Sequence, residues 1–465
     1  MSVPDIPFAQ SSHRRDFRYG GQIRQKLKPL VGVLLYCTQD DSLFPLLPGQ
    51  PDHLDNRMMN ILESPLPDSL LDSITGNVPR EIKELPVKWL AVFRNEGTGF
   101  AGNVGERVKV TDVSVVAGVD DPLRMEAKVT TEVEVTEDMC DSQGVLHEGC
   151  IVYLIDECSS IAMVVSNAYE DNYQPPGVSQ TINTLFHARA LVGTKLRLLN
   201  FSVANGDQSN AGRTEVWDAT NRRLVASGSP RRILDSIDCL LSPLSSSKLV
   251  KQLECPQPVT GLRIPSTMSL HKGAFAILDT PLPPEATVLI AGNASEEIKG
   301  LPVKWYKILS LRGFGFAFDV RQRIEIKEAS IEPAAHNDEM RSAKLQPRAV
   351  TPDMCNAQGL LDRGCMSFLM DEASAIALLM MNVEQGHINI VGLSQTFNIM
   401  FHRDVPVGAR IRIVSRSMSA DTDVGCCRSE IWDVGNHQII VSGVQQMVTP
   451  PVVVQDDGQG PKNKL

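Results

Sequence analysis

A passage built on Met139-Cys140-Asp141-Ser142-Gln143-Gly144 recurs as Met354-Cys355-Asn356-Ala357-Gln358-Gly359. Each copy runs into a long apolar segment with an acidic pair at its centre, Asp156-Glu157 or Asp371-Glu372. The correspondence extends to both sides. Leu85-Pro86-Val87-Lys88-Trp89 returns as Leu301-Pro302-Val303-Lys304-Trp305, Ser179-Gln180-Thr181 as Ser394-Gln395-Thr396, and Glu215-Val216-Trp217-Asp218 as Glu430-Ile431-Trp432-Asp433. Trp89 to Trp305 is an offset of 216 residues and Asp156 to Asp371 one of 215, so the register slips once between them. A period this long marks a duplicated domain rather than a solenoid unit. The 465 residues read as two versions of one module, and length alone points the same way.

The expected boundaries are an arm over 1–56, a first domain over 57–236, a linker over 237–271, a second domain over 272–449 and a loose tail over 450–465. A formal net charge of −10 argues against nucleic acid as a partner, because phosphate binding needs a concentrated basic face. Ten cysteines without C-x-x-C spacing read as reduced and buried. The sequence has no metal-ligand spacing, phosphate loop or G-x-S-x-G elbow, so no metal is expected. The apolar stretch from Cys150 to Val165 is short for a bilayer and has Asp156-Glu157 in its middle, which argues against stable membrane insertion. The basic run from His13 to Lys28 has the character of a mitochondrial presequence, but Asp5 and Asp16 weaken it. A cytoplasmic protein is expected, with the mitochondrion as the alternative.

Gly149 to Val165 and Gly364 to Met381 are rich in Ala, Met, Leu and Ile and free of proline, the pattern of a buried helix. Alternating stretches follow, such as Val178 to His187 and Lys195 to Val203, divided by Val192-Gly193 and Asn205-Gly206 turns. Each module therefore reads as α+β, a central helix wrapped by an antiparallel sheet.

The spacing from Asp141 through Gly144 and His147-Glu148-Gly149 to Asp156 resembles the hotdog-fold acyl-CoA thioesterases of the phenylacetate-pathway type. Asn356, Gly359, Asp362-Arg363-Gly364 and Asp371 repeat it, and Ser179 and Ser394 match the family's later strand. The likeness covers about Leu85 to Leu234 and Leu301 to Val448. It implies two tandem hotdog domains paired as an intramolecular pseudo-dimer that hydrolyses an acyl-CoA. Coenzyme A would enter as part of the substrate, without a separate cofactor, and the double unit is open to further homo-oligomerisation. The resemblance places Asp141, His147 and the Glu148 amide opposite Asp371 and Ser394. It likewise places Asn356 and the Arg363 amide opposite Asp156 and Ser179, with Gly144, Gly149, Gly359 and Gly364 beside the substrate.

Thioester hydrolysis needs a positioned water, a carboxylate to take its proton and a donor for the developing oxyanion. A carboxylate on a buried helix is made basic by desolvation, and a helix N-terminus offers unpaired amides. Gly149, Asp156 and Ser160 share one helix face, as do Gly364, Ser367, Asp371 and Ser374, so each Asp is expected on a polar stripe opening to a cleft. The plainer reading makes each Asp a structural cap. Because the family's Asn is Asp141 here, that crevice is expected to hold two carboxylates. At ~4 Å and an effective dielectric of ~20 they would repel by roughly 4 kcal/mol and share a proton. This favours the site built on Asn356 and Asp156. His187 and His402 read as structural, Trp217 and Trp432 as packing, and Arg213, Arg222, Arg223, Arg231 and Arg232 as a solvated face before a grip for coenzyme A phosphates. The rival functions are a hotdog enoyl-CoA hydratase or dehydratase and an inactive acyl-CoA-binding or scaffold protein.

Overall fold

The computed structural model describes residues 58–448 apart from 95–98, 119–123, 207, 234–276, 278–279, 311–312, 334–338, 348, 385–392 and 421–423. The expected arm, linker and tail lie wholly outside the described residues.

The first repeat runs α1 (Arg80–Arg94), α2 (Gly102–Gly105), β1 (Lys109–Ala117), β2 (Met125–Glu134), α3 (Glu148–Tyr169), β3 (Val178–Phe186), β4 (Lys195–Asn205), β5 (Ser209–Asp218) and β6 (Arg223–Ile233). The second runs α4 (Glu296–Leu309), α5 (Phe318–Arg321), β7 (Ile324–Pro333), β8 (Glu339–Pro347), α6 (Arg363–Glu384), β9 (Leu393–Phe401), β10 (Ile411–Ala420), β11 (Val424–Asp433) and β12 (Gln438–Val448). The α+β expectation holds in both halves. Ahead of the strands each repeat has a helix that the sequence reading does not name, of 15 residues in the first repeat and 14 in the second, each containing a proline, Pro86 or Pro302. Trp89 and Trp305 are buried on these helices, which pack against α3 and α6.

Helices α3 and α6 each span 22 residues, longer than the sequence suggests, and both are long and apolar enough to cross a membrane. Here that apolar surface is spent on packing: α3 touches every strand of its own half, and nearly all of each helix is buried. Each helix begins at a side-chain cap. The His147 ring accepts from the Gly149 amide at 3.0 Å, and the Asp362 carboxylate accepts from the Gly364 amide at 2.7 Å. Gly149 and Gly364 sit where the helices meet. A Cβ on Gly149 would lie 3.0 Å from the Phe368 backbone, and one on Gly364 2.9 Å from the Tyr153 Cβ.

The twelve strands among the described residues form one antiparallel sheet in the order β1-β2-β4-β5-β6-β3-β9-β12-β11-β10-β8-β7, so the halves join through β3 and β9. At the centre of that junction Asn183 faces Asn398, its own counterpart in the repeat. Such self-pairing is the mark of a two-fold relation. Two reciprocal bonds lock it further. The Phe100 amide donates to the Cys355 carbonyl at 2.9 Å, and the Phe316 amide donates to the Cys140 carbonyl at 3.0 Å.

Candidate active site

The amide end of α3 looks across at the middle of α6. Asp371 Oδ2 stands 3.7 Å from His147 Nδ1, and His147, Glu148 and Asp371 each bring one donor atom within 4.8 Å of the others. The other oxygen of Asp371 accepts from the Gln445 amide and, at 3.3 Å, from the Ser394 hydroxyl, while Gln445 also donates to Ser394 at 2.7 Å. The Oε1 atom of Gln445 is buried with no hydrogen-bond partner. His147 Nε2 lies 3.1 Å from Glu372 Oε1, which accepts from Arg321 at 2.8 Å. Burial pushes the Asp371 carboxyl up, against the pull of His147 and the bond from Gln445. Burial together with the neighbouring Asp371 pushes Glu148 up to about 7. Glu372 resists burial, because Arg321 and His147 hold its carboxyl down to about 2.

The equivalent crevice, where α6 begins opposite the middle of α3, is built differently. Asp156 Oδ1 accepts from Ser179 and from the Arg232 guanidinium, which also reaches the Asp156 carbonyl at 2.7 Å. Arg363, the first residue of α6, donates to the Ser179 carbonyl at 3.0 Å and to Asp404 at 2.8 Å. In place of His147 stands Asp362, pushed up to about 7 by burial and by the field of Asp156. Glu157 is pushed well above the carboxylate range by burial, then by Asp362 and Asp156.

His147 and Glu148 stand with Asp371, and Arg363 stands with Ser179 beside Asp156, but several other expected residues do other work. Asp141 is not the second acid beside Asp371. Its Oδ1 accepts from the Gln143 and Val145 amides at 2.7 and 3.0 Å, and the acid within reach of Asp371 is Glu148. Asn356 closes the same turn through the Gln358 and Leu360 amides, at 2.9 and 3.2 Å. An acceptor oxygen is all that turn requires, so Asp and Asn serve equally. Gly144 and Gly359 supply its left-handed residue, at φ 77° and 73°. Gly149 and Gly364 press on the opposing helix. The expected polar stripe also dissolves: Ser160 donates to the Asp156 carbonyl at 2.7 Å, Ser367 donates to the Arg363 carbonyl at 2.8 Å, and Ser374 pairs with Ser429.

His187 and His402 each bond a strand serine, Ser227 or Ser442, at 2.9 Å, in keeping with structural histidines. The arginine cluster is dispersed among local partners, with Arg213 over Phe201, Arg223 on Asp218 and Arg232 on Asp156. His147 is a poor metal ligand within its trio, since both ring nitrogens are engaged, one by the Gly149 amide and one by Glu372.

Sequence reasoning misses Gln445, Glu372 and Arg321 as site residues and places Arg232 on a solvated face. The signal for Arg232 and Gln445 is strand register. Arg232 pairs with Ser179 across β3 and β6, whereas in β12 the partner of Ser394 is Met447 and the donor comes from Gln445, two residues away on the same face.

No family model matches the sequence, and no curated protein matches it. Solved structures do resemble it. Zebrafish thioesterase superfamily member 2, at 23% identity, covers 33% of this chain and 98% of its own, with a TM-score of 0.27. An acyl-CoA thioesterase II from Mycobacterium marinum, at 11% identity, covers 69% and 93%, with a TM-score of 0.38. A protein of unknown function with a hotdog fold from Alicyclobacillus acidocaldarius, at 10% identity, covers 70% and 94%, with a TM-score of 0.36. These overlaps are partial.

Proposed function

We propose that the chain is a tandem hotdog acyl-CoA thioesterase whose halves pair as two subunits would, and that hydrolysis occurs in the crevice around Asp371. The observation that carries this reading is the meeting of a buried, basic Asp371, already oriented by Ser394 and Gln445, with the amide end of a helix from the other repeat. A water held there donates one hydrogen to Asp371 and the other to the unpaired Gln445 Oε1, leaving a lone pair for the thioester carbon. As the C–O bond forms, Asp371 takes the proton. The carbonyl oxygen becomes an oxyanion beside the Glu148 amide, which as the first residue of α3 has no carbonyl partner in the helix and exchanges its bond to the Glu148 carboxyl for one to the oxyanion. Collapse breaks the C–S bond, and the proton leaves with the coenzyme A thiolate, giving free acid and thiol. Glu148, whose carboxyl holds its proton to about 7, can face the substrate without adding a second charge.

This reverses the preference that the sequence alone gives. At Asp156 the place of the neutral Gln445 amide is taken by the Arg232 guanidinium, so that carboxylate is already ion-paired, and Arg363 is fastened to the Ser179 carbonyl and Asp404. No cofactor beyond the coenzyme A of the substrate is required, and we place the reaction in the cytoplasm, with the mitochondrion as the alternative.

A second reading has one observation in its favour: His147 bonded to Glu372 is a histidine with an acidic partner, as water addition to an enoyl-CoA uses. A thiol-release assay over acyl-CoAs of graded length separates the two. The thioesterase reading expects thiol from the parent protein and about a hundredfold less or lower from Asp371→Asn. Water addition to an enoyl-CoA with no thiol released from any acyl-CoA would overturn it.

A further inference from the structure

His147 carries constraints that the hydrolytic step does not use. Its Nδ1 accepts from the Gly149 amide at 3.0 Å, and its Nε2 is 3.1 Å from Glu372 Oε1. A ring nitrogen that accepts from an amide bears no hydrogen, so the neutral ring keeps its hydrogen on Nε2 and donates it to Glu372. Glu372 is itself anchored by Arg321 at 2.8 Å. These three side chains come from the cap of α3, from α6 and from α5, and are 4%, 5% and 2% exposed. Phe316 and Phe368 close around the imidazole, with ring centroids at 5.6 and 5.3 Å. The charged groups facing it are Glu372 and Asp371 on α6, Arg321 on α5 and Glu148 on its own helix.

The trio is not repeated at the other crevice, where Arg232 and Arg94 are the arginines that act on Glu157. The counterpart of His147 is Asp362, that of Glu372 is Glu157, and that of Arg321 is Gly105, where a Cβ would come within 2.8 Å of the Tyr153 hydroxyl. The trio is specific to the side of the molecule that holds Asp371.

We infer that Glu372, held by Arg321, is a positioning residue that fixes His147 in the Nε2–H tautomer and thereby keeps both the amide end of α3 and the Asp371 carboxylate in working order. The inference rests on the reading of Asp371 as the base. With Nδ1 bare, the Gly149 bond holds the first turn of α3, so the neighbouring Glu148 amide keeps its aim. A proton gained at Nδ1 would break that bond and point toward Asp371 Oδ2, 3.7 Å away. The imidazolium would pair with the carboxylate and withdraw the base. Burial opposes that protonation, but Glu372 and Asp371 outweigh it and raise the ring above its ordinary value. The acid limb of activity then follows the proton for which His147 and Asp371 compete.

The test follows the ring nitrogens of the full-length protein labelled with ¹⁵N-histidine, with His147 assigned by the signal lost in His147→Asn, and runs the pH profile of thiol release beside it. In the parent the Nε2–H tautomer should dominate above the titration, and the acid limb of kcat/KM should coincide with it. In Glu372→Gln the titration should move down by about one pH unit or more, the tautomers should mix and the acid limb should follow. The plateau kcat should fall about tenfold, with KM changed less than about twofold. Glu372→Asp, which keeps the charge but shortens the reach, should also mix the tautomers and serves if the first variant does not fold. A His147 signal with parental tautomer and titration in either folded variant overturns the inference. If the parent releases no thiol from any acyl-CoA, the reading of Asp371 fails separately, while the ring signals still decide the role of Glu372.

Discussion

Asp371 and Asp156 occupy matching positions on matching helices, and what separates them is the donor opposite. A neutral amide orients Asp371, whereas a guanidinium covers Asp156. Asp371→Asn should lower kcat for thiol release by about 10²–10⁴. Asp156→Asn should change the specific activity of the folded protein less than about threefold, while costing about 2 kcal/mol of stability because Arg232 loses its charged partner. Steady-state kinetics paired with denaturant titration reads both; a larger kinetic loss at Asp156 would exchange the roles of the two crevices. Asp362 gives a second test at this scale. Its folded carboxyl is pushed from 3.8 up to about 7, so the native state holds a proton that the unfolded chain has released. Its contribution is fully present below pH 3.8 and is lost as pH rises through about 7. Asp362→Asn keeps the cap acceptor without the charge. It should match the parent at pH 4 and exceed it at pH 8 by about 1 kcal/mol or more, as thermal melts at the two pH values would show.

At the scale of elements, the decisive contact is the crossing of α3 and α6 at their first turns. Gly149 and Gly364 let each helix start lie against the other helix, and this brings His147 and Glu148 to Asp371. Gly364→Ala should gain up to about 1 kcal/mol of helix propensity but lose more by overpacking against Tyr153, for a net cost of about 1–2 kcal/mol. Chemical denaturation of the variant alone and in a Tyr153→Ala background checks the cause, since the cost should shrink once the ring is gone. The helices themselves are legible in the sequence: an apolar run without proline, opened by a polar residue, has few other solutions. The proline-containing α1 and α4 are less legible, because helix propensity argues against Pro86 and Pro302 and only packing on α3 and α6 restores the helix.

At the scale of the whole molecule, everything depends on β3 pairing with β9. With β6 on one side and β9 on the other, β3 is paired on both edges from Thr181 to Leu185. Asn183→Pro removes one at the centre of the junction, where Asn183 faces Asn398. It should lower the melting temperature by several degrees and cut thiol release more steeply than a proline at Asp112 in the edge strand β1. Equal effects of the two substitutions would mean that the junction is not what assembles the crevice.

From sequence alone come the duplication, the α+β class, the buried helices and the two aspartates. Each of these is written in local pattern: a repeat, a periodicity, a charge where no charge is cheap. The tertiary structure alone decides which polar partner each aspartate meets, because that turns on residues far apart in the chain. Gln445 lies 74 positions from Asp371, Arg232 lies 76 from Asp156, and Glu372 lies 225 from His147. Nothing in a one-dimensional spacing tells a guanidinium from an amide as the partner of a carboxylate. That choice is made by strand register and by the two-fold junction, which bring distant side chains within hydrogen-bond reach in a low-dielectric interior, where the identity of the neighbour sets the chemistry.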